Sequence, residues 1–207
     1  LTPSDVVYSF KRNMLADPYY GPQWMPWSIF NQGGAGEGSL EYLNEHIFID
    51  PADANVVVIE AELYADYVLQ ILAGSWCSIM DEDYVISMGG WDGGDNWMDW
   101  NQLPEEEAAL YDDTNGTGSW ILDSKDPVLG FSLQRFEGYH GDLPILKRVE
   151  VLYFDEWTTR RLMLENGDAD TAFIPIQYLS QVEGTPGFRT VSNLPSLTNG
   201  AIQMNML

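Results

Sequence analysis

Between residues 148 and 191 the chain switches repeatedly between two hydrophobic periods, and this limits its fold more than any other feature. Val149-Glu150-Val151-Leu152-Tyr153-Phe154 reads as a strand with apolar side chains on both faces, as expected in a covered sheet. Residues 157–165 read as a helix, closed by Asn166-Gly167, with glycine suited to the left-handed position after the last turn. A strand over 171–174, a helix over 176–183 and a strand over 188–191 follow. Strand–helix–strand–helix–strand is the order of an α/β fold. Ahead of it, Phe131-Ser132-Leu133-Gln134-Arg135-Phe136 alternates as one more strand.

The first half has a different texture. Thr2 is placed to cap a helix, with Pro3 at its first position and Asp5 at its third, a variant of the capping box. Val6, Val7, Phe10 and Met14 recur at helical spacing, which carries the helix to about residue 16, where Asp17-Pro18 stops it. Residues 19–30 are aromatic and broken by prolines, an ordered loop or a set of short turns, and 33–38 form a glycine-rich exposed loop tip. Strands over 47–49 and 56–59, joined by a turn over 50–55, make a hairpin. Short helices are expected over 66–73 and 105–111, and irregular surface over 89–100. Asn115-Gly116-Thr117-Gly118 then breaks the chain, as a turn or hinge.

Composition removes several functions. Against 32 Asp and Glu stand 9 Lys and Arg, a net charge of −23. Nucleic-acid binding rests on cationic side chains that release counterions, so no nucleic-acid partner is expected. Docking by basic charge to an anionic membrane is disfavoured for the same reason. Disorder is disfavoured because the acidity comes with eight Trp, eleven Tyr and eight Phe. A single cysteine, Cys77, excludes an internal disulfide framework and any multi-cysteine metal site. No apolar run reaches the 18 or so residues of a membrane helix. The 207 residues suffice for one ordinary domain or two small lobes. The chain opens at a helix start and closes on a strand-like 201–206, so it is expected to be part of a longer polypeptide.

Candidate chemical groups are numerous but poorly supported by motifs. Glu60 and Glu62, two apart on one strand face, or Asp92, Asp95 and Asp99 suit glycoside chemistry beside tryptophans, the basis for an alternative reading as a secreted carbohydrate-active protein. A solvated strand face explains Glu60 and Glu62 better. The acidic run 92–99 lacks the spacing of a calcium loop. Cys77, among Trp76, Ile79 and Met80, reads as a buried inert thiol, and His46 and His140 have no ligand-spaced partner. No catalytic residue, metal or cofactor is therefore expected. The aromatic loop is more informative: Tyr20, Trp24 and Trp27, held by prolines at 18, 22 and 26, are candidates for a ligand wall, with the glycine-bounded Gly116-Thr117-Gly118 beside them. The rival reading has these aromatics sealing a core.

Three motifs in order resemble one family. Leu1-Thr2-Pro3-Ser4-Asp5-Val6-Val7-Tyr8-Ser9-Phe10-Lys11-Arg12 is similar to a helix reading L-T-A-x-D-V-V-Y-S-F-x-R, and Gly116-Thr117-Gly118-Ser119-Trp120-Ile121-Leu122 to G-T-G-P-Y-x-L. Arg135-Phe136-Glu137-Gly138-Tyr139-His140-Gly141-Asp142-Leu143-Pro144 resembles R-N-x-x-Y-W-G-x-x-P, and Leu164-Glu165-Asn166-Gly167-Asp168-Ala169-Asp170 continues the match. These belong to the extracellular solute-binding proteins of the dipeptide/oligopeptide type, family 5, the capture subunits of ABC importers. The resemblance implies part of a type II periplasmic-binding-protein fold: a mixed sheet flanked by helices, plus a smaller α+β subdomain. It implies that 1–115 belong to the extra subdomain and 116–207 to the first lobe, with the second lobe absent. It also implies a peptide or similar small solute as ligand, a membrane permease as partner, and a periplasmic or extracellular, lipid-anchored location.

Overall fold

The computed structural model describes residues 1–16, 21–62 and 67–192. Helix α1 (Pro3–Leu15) begins where its capping residues direct. The Thr2 hydroxyl accepts from the Asp5 N–H, and the Asp5 carboxylate accepts from the Thr2 N–H, closing the capping box. The aromatic loop resolves into the five-residue helix α2 (Trp24–Ser28). The glycine tip stays exposed and feeds helix α3 (Ser39–His46), with Gly38 at φ 79°, a left-handed entry that favours glycine. The expected hairpin is present: β1 (Ile47–Ile49) pairs antiparallel with β2 (Val57–Ile59), Phe48 opposite Val58. Helix α4 (Val68–Leu72) is shorter than the segment expected over 66–73, of which residue 66 lies outside the described residues. Helix α5 (Glu82–Ser87), not foreseen, is capped by the Asp81 carboxylate accepting from the Tyr84 N–H.

Three strands follow in the order β3 (Trp120–Asp126), β4 (Gly130–Arg135), β5 (Arg148–Leu152). β3 and β4 are antiparallel, with Leu122 opposite Leu133 and an irregularity between Leu122 and Ser124. Helix α6 (Trp157–Asn166) ends at Gly167, whose φ of 79° confirms the glycine stop read from the sequence.

The chain divides into two compact units, Leu1–Val151 and Leu152–Leu207. The core of the first is one cluster. Tyr8, Met14 and Leu15 of α1 pack with Trp27, Phe30, Leu43 and Ile47, and with Val85, Trp91 and Trp97. In the second, Trp157 stacks on Tyr178 at 5.9 Å between ring centroids and donates its indole N–H to Gln181 at 2.8 Å.

Several expectations need correction. No strand forms over 171–174 or 188–191, and 176–183 gives a tight 3-10 helix over Ile176–Gln181 rather than an α-helix. A strand persists only where a neighbour takes its N–H and C=O groups, and these two segments have no ladder partner among the described residues. The α/β class stands as small mixed sheets with helices. Residues 105–111 hold only a 3-10 turn at Glu105–Glu107 in place of the expected helix. Residues 89–100 are irregular and largely exposed, as expected, but they bury two rings: Trp91 and Trp97 are 1% and 6% exposed. Tyr8 donates its hydroxyl to the Trp91 carbonyl, and the Trp91 indole N–H reaches the Gly94 carbonyl at 2.8 Å. The strand face expected to carry Glu60 and Glu62 ends at Ile59, before either carboxylate.

Ion pairs such as Arg135 with Glu137, Arg148 with Asp123 and Arg161 with Glu165 leave most of the acidic excess unneutralised. Self-repulsion of this kind weakens the compact state and is screened by salt over about 10 Å at 0.1 M. The melting temperature is expected to rise by several degrees as NaCl is raised from a few millimolar to a few hundred; a flat or falling curve would show the acids to be locally compensated.

Candidate functional site

A groove that involves a residue named from the sequence lies beside α2, within the first unit. It encloses about 340 Å3 and is lined by Gln23 and Trp24, by Gly33 and Gly34 of the glycine tip, and by Asn101 and Gln102. Local structure places each wall. Pro22 starts the turn into α2, with the Met25 N–H donating to its carbonyl, which puts Trp24 on the outer face of a single helical turn. Trp24 is 57% exposed. Trp27, three residues on in the same short helix, is 1% exposed. Its indole N–H donates to the Met14 carbonyl at 2.8 Å, so the ring closes against the end of α1 with no unsatisfied polar atom. On the other wall the Asn101 amide donates to the Leu15 carbonyl at 2.6 Å, and Gln102 sits in the left-handed region at φ 61°. A non-glycine residue held there is a local strain that the surrounding contacts must maintain.

The sequence-named residues are thus separated. Trp24 presents a ring to solvent at the groove. Trp27 is a core residue, which is the rival reading of that position. Tyr20 lies outside the described residues. Gly116, Thr117 and Gly118 are exposed and without regular structure ahead of β3, and the groove's described lining includes none of them. The segment before them is tied at two points. Lys125 donates to the Tyr111 carbonyl at 2.6 Å with its ammonium 3.2 Å from the centre of the Tyr111 ring, and Tyr84 donates its hydroxyl to Asp113 at 2.7 Å. Residues 116–118 therefore join an anchored segment to the paired strand β3.

Gln23, Asn101 and Gln102 were not singled out by sequence. The signal that could have found them is weak: side-chain amides flanking tryptophan at Gln23-Trp24 and at Trp100-Asn101-Gln102.

Glu60 and Glu62 are exposed, and Glu62 accepts a hydrogen bond from the Tyr42 hydroxyl at 2.8 Å. Burial, with the neighbouring Glu62 carboxylate, pushes the Tyr42 phenol up to about 12. Asp92 caps its own turn by accepting from the Gly94 N–H at 3.0 Å. Among the described residues no group of three or more His, Cys, Asp or Glu is arranged to hold a metal. Cys77 is buried, and burial pushes its thiol up to about 11, which keeps it protonated and a poor nucleophile at neutral pH. No described helix is long and apolar enough to cross a membrane.

The sequence model of the bacterial extracellular solute-binding proteins, family 5 Middle, matches residues 1–207. No curated protein matches the chain. Solved structures are similar in fold. The periplasmic binding protein DppA of Helicobacter pylori, in complex with the peptide STSA, superposes with a TM-score of 0.58 at 19% identity, over 89% of this chain and 33% of its own. OppA of Haemophilus influenzae, in complex with RPPGFSPFR, gives 0.59 at 15% identity, over 88% and 33%. OppA of Burkholderia pseudomallei gives 0.57 at 18%, over 88% and 33%. The small sheets and helices described above match part of this periplasmic-binding-protein fold, and the chain spans about a third of the length of these relatives.

Proposed function

The chain belongs to the bacterial extracellular solute-binding proteins of family 5, and from that premise we propose that it forms part of the capture component of an ABC importer, binding a peptide outside the cell for delivery to a membrane permease. The observation that carries this reading is the family match along the whole of residues 1–207. The fold likeness to DppA and OppA structures holding peptides supports it. In this reading residues 1–115 contribute to the extra subdomain and 116–207 to the first lobe. The complete protein is periplasmic or extracellular, tethered by a lipid anchor. Trp24, with Tyr20 and the turn Gly116-Thr117-Gly118, contributes to the ligand wall, and Trp27 supports that wall from the core. A ring already fixed on a short, proline-bounded helix loses little freedom when a ligand covers it, and this is how a pre-formed site gains affinity.

The same reading makes the protein a binder without catalysis. The exposed, separately hydrogen-bonded carboxylates and the protonated Cys77 suit that role. The test is to purify the complete polypeptide that carries these residues and identify co-purifying solutes by mass spectrometry, then assay it on glycans, peptides and esters. Bound short peptides and no turnover are expected. Turnover that disappears in Glu60→Gln or Asp95→Asn would replace the reading with an enzyme.

A further inference from the structure

We propose that the groove beside Trp24 selects an uncharged, amide-rich stretch of its ligand and rejects acidic ones; this rests on the peptide-binding reading above and narrows it to a substrate class. Three observations carry it. First, a chain with 32 acidic residues has a groove whose described lining contains no charged side chain. Gln23, Asn101 and Gln102 offer amide donors and acceptors, the chemistry that pairs with a peptide's own N–H and C=O groups. Second, the groove has one flat apolar surface, the Trp24 indole, 57% exposed, on which a planar amide or apolar side chain stacks. Third, the facing wall is bare backbone: a Cβ added at Gly33 or Gly34 would meet nothing within 4 Å, so an extended main chain has room to approach.

Rejection of acidic ligands follows from charge. A ligand carboxylate entering the groove would find no described cation to pair with and would leave water inside the field of a chain with net charge −23. A neutral ligand meets no such penalty, because its dipoles are matched by amides that can present either a donor or an acceptor.

Gly33 supplies a test, because it lines the groove and a Cβ added there meets nothing within 4 Å. The complete polypeptide would be titrated by calorimetry with two pools of tetrapeptides. One is drawn from Gly, Ala, Ser, Asn and Gln; the other carries Asp or Glu at both central positions. The wild type is expected to bind the neutral pool at least tenfold more tightly. Gly33→Phe is expected to lose at least tenfold in affinity for the neutral pool with an unchanged melting temperature. Gln102→Gly, which keeps the left-handed backbone and removes the amide, is expected to lose several-fold and serves if Gly33→Phe fails to fold. Equal binding of the two pools, or neutral binding that survives both variants within twofold, overturns the groove assignment and leaves the peptide-binding reading intact. Binding of neither pool by the wild type overturns both. Cellotetraose binding that is blocked by Gly33→Phe while peptides fail to bind would show the groove to be a saccharide site and overturn the peptide class.

Discussion

Replacing Trp27 by alanine is expected to cost about 3–5 kcal/mol of folding stability, whereas the same change at Trp24 is expected to cost less than about 0.5 kcal/mol. Both lie in the same short helix, three residues apart. The difference comes from where each ring ends. Trp27 is enclosed by Phe30 and Tyr42, at centroid distances of 6.4 Å each, and its N–H is satisfied by Met14. Truncation opens a cavity between α1 and α3 and strands the Met14 carbonyl. Trp24 leaves no cavity, because more than half of its surface already faces water. Its loss is instead expected to weaken ligand binding in the complete protein by about 1–3 kcal/mol. Chemical denaturation and calorimetric titration of both variants check the pair. Similar losses of stability at the two positions would mean that Trp24 is packed, and would remove it from the ligand wall.

Asp5 is expected to give the second large effect. Its carboxylate accepts from the Thr2 hydroxyl at 2.9 Å and from the Glu82 N–H at 2.9 Å, besides the Thr2 N–H, so one side chain caps α1 and holds the start of α5 against it. Burial pushes the carboxyl up, but the hydrogen bonds from Glu82 and Thr2 outweigh it and hold it below the usual carboxylate range. Asp5→Asn puts an amide donor where donors already converge and is expected to cost about 1–3 kcal/mol. The sign of the pH dependence follows. A carboxyl held low in the folded state contributes stability that is fully present above its unfolded value of about 4. That contribution is lost as pH falls through the lower folded value. The stability gap between wild type and Asp5→Asn is therefore expected to be constant around neutrality and to close as pH is taken from about 6 to about 2. A gap that persists at the acid end would assign Asp5 a packing role instead of an ionic one.

Position 5 also shows what is legible in one dimension. Thr2, Pro3 and Asp5 are within four residues, and a cap is a local arrangement, so the helix start could be read correctly. The same holds for the hairpin at 47–59 and for the glycine stop at Gly167, where short-range backbone chemistry decides the outcome. The bond from Asp5 to the Glu82 N–H spans 77 residues, and nothing in the local pattern announces it.

Family membership, too, was carried by the sequence, because its motifs lie on local elements: the first helix, the strand β3 and the end of α6. The acidic balance was settled by counting. What only the tertiary structure decided is where the aromatics go. Tryptophan is large, apolar and carries one donor, so it suits a ligand wall and a core equally well. The choice depends on whether a partner for its N–H and an enclosing set of side chains arrive from elsewhere in the chain. Met14 arrives for Trp27, and Tyr8 packs against Trp91, whose N–H turns back to Gly94. Trp24 stays more than half exposed on the groove. The strands expected over 171–174 and 188–191 failed for the same reason. Their apolar alternation is a local property, but a ladder needs a neighbour that the sequence pattern of a single segment cannot supply.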